Sequence, residues 1–219
     1  MLSVLINIKN IVRLPIFHNL KFTEATTHIL NRLETELPPN LYYHGPHHTK
    51  DVLEVASSLA DQHHLSQYDK EIIVTAAAFH DCGFLFVYRG HEERGCEIAR
   101  ETLPQFDYSI EDIDKICNLI MATKVPTAAK NLFEEIICDA DLDYLGRTDF
   151  DTISDSLFKE FSEHNIVSDE LSWYKLQKSF LSSHHFYNEF SKASREETKQ
   201  KNLRDIISMI EILEIRTRY

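Results

Sequence analysis

Glycine is scarce in this sequence of 219 residues, and it is absent from the last third of the chain. All five glycines fall between residues 45 and 146, and no proline follows Pro126. Glycine permits tight turns and helix ends, and proline interrupts helices. The sharp turns are therefore expected in the middle of the chain, and the tail after Arg147 is predicted to form long helices.

The four cysteines form no CxxC pair, which removes the usual spacing of a zinc ribbon or a thioredoxin-like redox motif. They are scattered along the chain, so we expect reduced, buried thiols in a cytoplasmic protein. The cysteines are Cys82, Cys96, Cys117 and Cys138.

Basic residues are outnumbered, with 23 Lys and Arg against 35 Asp and Glu, and the net charge is −12. Binding of a nucleic-acid polymer requires a basic face that neutralises phosphates, so such a partner is not expected. A small anionic substrate remains possible, because a bound metal ion reverses the local field. The length and the 43% hydrophobic content fit one domain with a full-sized core.

The chain begins with an apolar stretch, MLSVLINIKNIVRLPIF, that is too interrupted to cross a membrane. Asn7, Lys9, Asn10, Arg13 and Pro15 break it, and it lacks the basic start and small-residue cleavage site of a signal peptide. We expect a short amphipathic segment that packs on the domain, and no membrane partner.

Apolar residues recur at helical spacing along the chain, and no stretch alternates with a period of two. The sequence also lacks repeats, linkers and low-complexity runs. It therefore predicts one all-α domain over residues 1–219, with a motif-bearing core at 43–147 and a helical extension at 148–219. The helical stripes include Val52, Val55 and Leu59, then Ile113, Ile116 and Ile120, then Phe150, Ile153, Leu157 and Phe161, and finally Ile206, Ile210 and Leu213.

The pair His80-Asp81, in AAAFHDCGF, is the most informative motif. His80 continues the apolar face of Ile73 and Ala77, and Asp81 lies about 100° further round the helix. At a helix end, released by Gly83, both side chains can converge on one ion. The alternative is a core histidine beside an acidic helix end. However, the helix dipole disfavours an aspartate at a C-terminus, so a metal would stabilise it there.

Two other segments offer further metal ligands. In YHGPHHTKDV, His48 precedes an apolar helical stripe and is predicted to point into the core, whereas His47 lies on another face. In CDADLDYLGR, Asp141 shares a face with Ile137 and Leu145 and is the predicted inward carboxylate. Asp139 and Asp143 are expected to cap helices or support the site, and an ordinary acidic helix end is the alternative for both.

The ordered set His48, His80-Asp81 and Asp141 resembles the HD-domain superfamily of metal-dependent phosphohydrolases. YHGPHHTKDV is similar to the YHNxxHxxxV opening of cyclic-nucleotide phosphodiesterases, with Gly45 in place of the usual Asn. ADLDYLG resembles the ADRLDxLG segment of that family but is one residue shorter. The resemblance implies an all-α HD-domain helical bundle with a central metal site formed by these four ligands. It also implies hydrolysis of phosphate esters, often nucleotides.

His91, in HEERGCEIA, resembles the histidine that binds a second ion in two-metal relatives. Those relatives usually carry a further histidine before the last aspartate, and none occurs here between residues 92 and 163. One ion per chain is therefore expected rather than two, and the two-iron oxygenase branch is disfavoured. His91 would then contact substrate or act as a general acid, with Asp81 as the second candidate catalytic residue. The alternative for His91 is a polar helix start that faces water.

A phosphate-bearing substrate requires positive or hydrogen-bonding partners. Lys124, Arg147 and His44 are the candidate substrate contacts, and Arg89 is a further possibility. Ordinary surface charges are the alternative for the lysine and the two arginines.

The sequence thus predicts a metal-dependent phosphohydrolase that acts on a small phosphate ester, such as a nucleotide or cyclic nucleotide. The cofactor is a divalent ion, with Mn, Mg, Fe, Co, Ni and Zn all open. The alternative function is a metal- and nucleotide-binding sensor module without turnover. The stripe on the last helix must be covered, either by the domain or by a second copy in a homodimer.

Overall fold

The computed structural model of the chain describes residues 20–216, and these form helices joined by loops, without any β-strand. The all-α prediction is confirmed. The amphipathic segment predicted near the N-terminus lies outside the described residues. None of the helices within 20–216 is long and apolar enough to cross a bilayer.

The α-helices are α1 (Phe22–Glu36), α2 (Pro46–Gln62), α3 (Gln67–Phe79), α4 (His91–Thr102), α5 (Ile110–Ala122), α6 (Leu132–Asp141), α7 (Phe150–Glu163), α8 (Glu170–Ser183) and α9 (Glu189–Arg216).

Local sequence signals explain several helix starts. Pro46 occupies the first turn of α2, where its missing N–H costs nothing. Ser109 and Asp112 form a capping box at α5, and Asn131 accepts hydrogen bonds from two backbone N–H groups at α6. Sequence analysis did not identify α1, although Ala25, Ile29 and Leu33, all buried in the structure, recur there every four residues.

The centre of the fold is α3, which is buried continuously from Ile72 to Phe79 and contacts α1, α2, α5 and α6. This helix ends one residue before His80, and a 3₁₀ turn follows at Cys82–Leu85. The predicted continuation of the helix to Gly83 is therefore wrong. In this turn the backbone of residue 83 packs closely against the backbone of His91. A Cβ at this position would lie 1.9 Å from the carbonyl oxygen of His91, so only glycine permits the close contact.

A similar turn follows α6. Asp141 is the last residue of that helix, and Leu145 lies in a second 3₁₀ turn, Asp143–Gly146, rather than on a continued helix. Both segments that carry candidate ligands thus end in a helix terminus and a tight turn. This arrangement directs polar side chains from helix ends into the interior.

The C-terminal helix α9 packs against α8 and against the turn at Asp143–Gly146. Ile206 and Ile210 on its predicted stripe are buried. Asp143 accepts a hydrogen bond of 2.7 Å from Arg195 Nε on α9. The extension is therefore attached directly to the segment that carries Asp141.

Asp139 anchors the start of α9. Its completely buried carboxylate accepts hydrogen bonds from the backbone N–H groups of Tyr187 at 2.8 Å and of Asn188 at 2.9 Å. Burial raises the pKa of Asp139 to about 6, although these hydrogen bonds oppose that effect. The expectation of a capping or supporting role for Asp139 agrees with these contacts.

Candidate metal centre

Four side chains from three helix ends converge at the centre of the molecule. His48 lies in the first turn of α2, His80 and Asp81 follow α3, and Asp141 closes α6. His48 Nε2 lies 3.1 Å from Asp141 Oδ1 and 3.3 Å from His80 Nε2. Asp81 Oδ2 lies 3.2 Å from His80 Nε2 and 3.5 Å from His48 Nε2.

These atoms suit a divalent ion. The ligand atoms of His48, His80 and Asp141 all lie within 4.8 Å of one another, and Asp81 adjoins this set through both histidines. Ligands at about 2.0–2.2 Å from one ion are roughly 3.0–3.5 Å apart when they are adjacent. The observed separations match that spacing, and two imidazoles with two carboxylates form a donor set for Zn, Fe, Mn, Co or Ni.

Two details of the cluster favour ligation over simple hydrogen bonding. His80 Nδ1 lies 2.7 Å from the carbonyl oxygen of Ala77, so it donates there and leaves the lone pair of Nε2 facing the cluster. Asp81 Oδ2 is buried and makes no well-formed hydrogen bond to any described residue, although two imidazole nitrogens are near it. A buried carboxylate oxygen without a hydrogen-bond donor destabilises the folded protein unless a cation neutralises it.

The charged groups of the cluster strongly shift one another's pKa values. Burial lowers the pKa of His80, but the Asp81 and Asp141 carboxylates outweigh burial and hold that pKa well above its usual range. Burial raises the pKa of Asp141, yet the His48 and His80 imidazoles hold it well below the ordinary value. The carboxylates are therefore ionised, as metal ligands must be, and a bound ion would replace the proton on His80 Nε2.

His91 lies beside the cluster. It is the first residue of α4, follows Gly90 in the left-handed conformation (φ 75°), and stacks on Phe84 with ring centroids 3.9 Å apart. Its Nε2 lies 3.5 Å from Asp81 Oδ1, and its Nδ1 lies 3.3 Å from the carbonyl oxygen of Tyr88. The ring thus borders the oxygen of Asp81 that faces away from the two histidines.

A cavity of 480 Å³ opens next to the cluster and is bordered by Asp81, Asp141 and His91. Its volume is in the range of small-molecule sites. The opposite wall comes from α7 and α8 and is mainly apolar. The residues of that wall are Leu157, Phe161, Trp173, Leu176, Gln177, Phe180 and Leu181.

The two predicted phosphate-binding cations lie in different places. Lys124 borders this cavity and forms an ion pair with Glu93. Arg147 borders a second cavity, also of 480 Å³, where it is paired with Asp51 and Asp149. Arg89 borders the first cavity. Both cavities reach Asp141, so the substrate contacts predicted for Lys124 and Arg147 stay predictions and would come from different sides of the cluster.

Glu160 was not identified from the sequence, yet it organises one wall of the site. Its carboxylate is fully buried on α7 and accepts hydrogen bonds from the backbone N–H groups of Tyr43 at 2.9 Å and His44 at 3.1 Å. It also accepts the Tyr88 hydroxyl at 3.0 Å and contacts His44 Nδ1. One feature of the sequence could have identified Glu160. It is a charged residue three positions after Leu157, on the apolar face of a predicted helix.

The contacts of Glu160 fix His44, a predicted substrate contact, at the cavity wall. Burial lowers the pKa of His44, but the hydrogen bond to Glu160 and the negative charges of Asp81, Glu160 and Asp141 together outweigh burial and raise that pKa. A raised pKa favours the charged imidazolium form of His44, which suits an anionic ligand.

Replacing Glu160 with alanine is expected to destabilise the protein, because several buried donors lose their acceptor. At about 1–3 kcal/mol for each unpaired buried group, the total loss should reach about 3 kcal/mol or more. For a chain of this size, that loss corresponds to a melting temperature lower by roughly 6–12 °C. Thermal unfolding followed by circular dichroism measures this change.

Glu163→Ala is the matched control, since Glu163 lies on the same helix and bonds only the exposed Tyr42 hydroxyl, at 2.7 Å. This variant should change the melting temperature by less than about 3 °C, as an exposed pair contributes less than about 1 kcal/mol. Equal effects from both variants would show that Glu160 has no special structural role.

Comparison with known proteins agrees with this geometry. Residues 47–144 match the family model of the HD domain. YpgQ of Bacillus subtilis, solved in complex with ADP, aligns with a TM-score of 0.60 and 16% identity over 88% of this chain and 96% of its own. A protein identified as a predicted HD superfamily hydrolase, from an uncultured Thermotogales bacterium, aligns with a TM-score of 0.53 and 19% identity over 89% and 91%.

No curated protein is significantly similar to the sequence. At these identities, the two structural neighbours show a shared fold. The family match covers the helix ends that carry His48, His80, Asp81 and Asp141. Residues 47–144 therefore form an HD domain.

Proposed function

We propose that this protein is a metal-dependent phosphohydrolase that acts on a small phosphate ester, and that this ester is a nucleotide. The observation that carries the proposal is the convergence of His48, His80, Asp81 and Asp141 beside a cavity large enough for a small molecule. HD domains bind divalent metals, and the donor set fits one ion. When bound, such an ion would supply a Lewis acid that polarises a phosphoryl oxygen and makes a water molecule more acidic.

The chain's own residues supply binding and proton transfer. Lys124 and Arg89 border the cavity and would contact phosphate oxygens, with Lys124 exchanging its ion pair with the exposed Glu93 for the substrate. His44, held by Glu160, would contact another substrate oxygen. His91, whose Nε2 lies 3.5 Å from Asp81 Oδ1, would donate a proton to the leaving group or orient the attacking water.

Three features support a nucleotide over other phosphate esters. The cavity combines a polar end at the cluster with an apolar, partly aromatic wall, which suits a phosphate joined to a flat base. The net charge of −12 disfavours a long polyanion. One structural neighbour, YpgQ, was solved in complex with ADP.

Replacing His91 with alanine is expected to retain the metal ion and to lower kcat substantially, by about 10²-fold or more, in the range that a positioned acid or base contributes. The reason is that His91 borders Asp81 but lies outside the set of mutually close ligands. Elemental analysis and steady-state kinetics on the same preparation measure both effects. His28→Ala, at an exposed position on α1, is the control and should change neither.

Two ions per wild-type chain and one in the His91 variant would show instead that His91 ligates a second ion. The expectation of one ion per chain would then be wrong.

The proposed function is tested by metal analysis of protein purified without chelators, followed by a turnover screen. The screen pairs Mn, Mg, Co, Ni, Fe and Zn with mononucleotides, cyclic nucleotides and p-nitrophenyl phosphate. We expect about one ion per chain and hydrolysis of at least one small substrate. Cleavage of long RNA or DNA without small-molecule activity would contradict the proposal. Tight nucleotide binding without turnover under any metal would support the sensor function instead.

A further inference from the structure

Two of the four cysteines face each other across a helix interface outside the site described above. Cys96 lies on α4 and Cys117 on α5, and these two helices pack against each other. Cys96 Sγ lies 3.4 Å from the carbonyl oxygen of Cys117, and Cys117 Sγ lies 3.7 Å from the carbonyl oxygen of Cys96. The two thiols also hydrogen-bond each other. Neither residue borders the two cavities next to the metal cluster.

This reciprocal approach suits a disulfide bond. A disulfide requires Cα atoms about 4.4–6.8 Å apart and Cβ atoms about 3.5–4.5 Å apart, so it forms only where two backbones lie unusually close. The sulfur of Cys96 lies beside the main chain of Cys117, and the reverse is also true, so α4 and α5 approach closely at this point. Cys82 lacks such a relation, because its Sγ lies 3.8 Å from the carbonyl oxygen of Gly95 without a matching contact in return.

The two thiols differ in exposure and in acidity. Cys96 is partly exposed and is therefore the sulfur that a reagent in solution meets first, whereas the other three cysteines are buried. The hydrogen bond between the thiols raises the pKa of Cys96 and lowers the pKa of Cys117. A lowered pKa favours the thiolate of Cys117, which is the form that attacks a disulfide sulfur.

We propose that Cys96 and Cys117 are a redox modification site, at which a low-molecular-weight disulfide oxidises the pair to a reversible internal disulfide that links α4 to α5. Cys96 loses its proton to water, and its sulfur attacks the oxidant, whose S–S bond breaks and releases one thiolate. The Cys117 thiolate then attacks the Cys96 sulfur of this mixed disulfide, forms the internal S–S bond and releases the second thiolate. The two released thiolates take up the protons that the cysteines lost. The protein is thus oxidised by two electrons, and the oxidant is reduced to two thiols.

The bond would join two helices that lead to the first cavity. His91 is the first residue of α4, and Lys124, which follows α5, borders the cavity with it and pairs with Glu93 on α4. The disulfide would close the loop from Cys96 to Cys117, which restricts the unfolded chain more than the folded one. The oxidised protein is therefore expected to melt about 5 °C or more above the reduced protein.

The test incubates the native protein in glutathione buffers with an increasing share of oxidised glutathione. Free thiols are then alkylated in denaturant with N-ethylmaleimide and counted by intact mass, and tryptic peptides are identified by mass spectrometry. We expect the count to fall from the four free thiols of the reduced chain to two, and to return to four with dithiothreitol. The peptide GCEIAR (95–100) should be linked to ICNLIMATK (116–124). A link from Cys96 to Cys82, or glutathione adducts alone, would overturn the inference.

Cys138→Ala is the matched control, since the Cys138 thiol on α6 donates to the carbonyl oxygen of Ala122 at 3.1 Å. This variant should still form the internal bond and lose two of its three remaining thiols. Cys117→Ser should form no internal bond, and its Cys96 should stop at the mixed disulfide with glutathione. The peptide identification in the wild-type protein does not depend on any variant folding. An internal bond without a rise in melting temperature would show that it forms outside the native packing, which would also overturn the inference.

Discussion

Replacing His80 with alanine, or Asp81 with asparagine, is expected to reduce bound metal from about one ion per chain to nearly none and to abolish phosphohydrolase activity. Both residues lie at the end of α3, within 3.5 Å of the ligand atoms of their neighbours. Asp81→Asn preserves the volume of the side chain but removes the charge that neutralises a cation. Elemental analysis and turnover of the best substrate measure the two losses.

The helical circular-dichroism signal should remain largely intact in both variants. α3 is held by the continuous apolar surface from Ile72 to Phe79 rather than by the polar pair that follows it. Asp61→Asn, an exposed position at the end of α2, is the control for the loss of one carboxylate. Full metal occupancy in the variants of both His80 and Asp81 would refute the assignment of the metal site.

The part of the fold that the sequence could predict is the part set by local periodicity. Stripes such as Ile113, Ile116 and Ile120 specify a helix and its buried face whatever the partner is, because the 3.6-residue repeat is a local property. The same logic placed His48 and Asp141 on inward faces, and their order along the chain with His80-Asp81 indicated the family. Convergence of the three segments followed from that resemblance rather than from periodicity.

Features that depend on tertiary contacts could not be predicted from the local periodicity of the sequence. The turn after α3 depends on the close approach of His91 to Gly83, which involves two segments that are paired only in the folded chain. The role of Glu160 depends on backbone N–H groups of Tyr43 and His44, more than a hundred residues away. The separation of Lys124 from Arg147 into different cavities is likewise a property of the fold and not of the local sequence.

The C-terminal extension is coupled to the metal segment on both sides of Asp141. Asp139 holds the backbone that leads into α9, and Asp143 holds Arg195 on α9 itself. A Cβ on Gly146 would lie 2.4 Å from the carbonyl oxygen of Arg195, so the turn and the helix are in close contact. The last residue of α6 is thus positioned by a helix outside the region that matches the family model.

Truncation after Ala193 is therefore expected to destabilise the whole domain and to lower its metal affinity. The deletion removes the buried side chains of Ile206 and Ile210, each contributing about 1.5–3 kcal/mol, and the hydrogen bond from Arg195 to Asp143. It also removes Asn202, which donates to the carbonyl oxygen of Leu145 at 3.0 Å. A combined loss of about 5 kcal/mol is a large part of the stability of an ordinary domain. The melting temperature should fall by more than roughly 10 °C.

A shorter truncation, after Leu213, is the matched control, since it leaves the stripe of Ile206, Ile210 and Leu213 in place and removes the Lys175–Glu214 ion pair. Its melting temperature should fall by less than about 3 °C, because an exposed pair contributes less than about 1 kcal/mol. Light scattering on both proteins tests whether the extension also joins two copies. A dimer that becomes a monomer with an unchanged melting temperature would show that α9 serves association. An unchanged mass and melting temperature in the longer deletion would show that α9 is dispensable, contrary to its buried contacts.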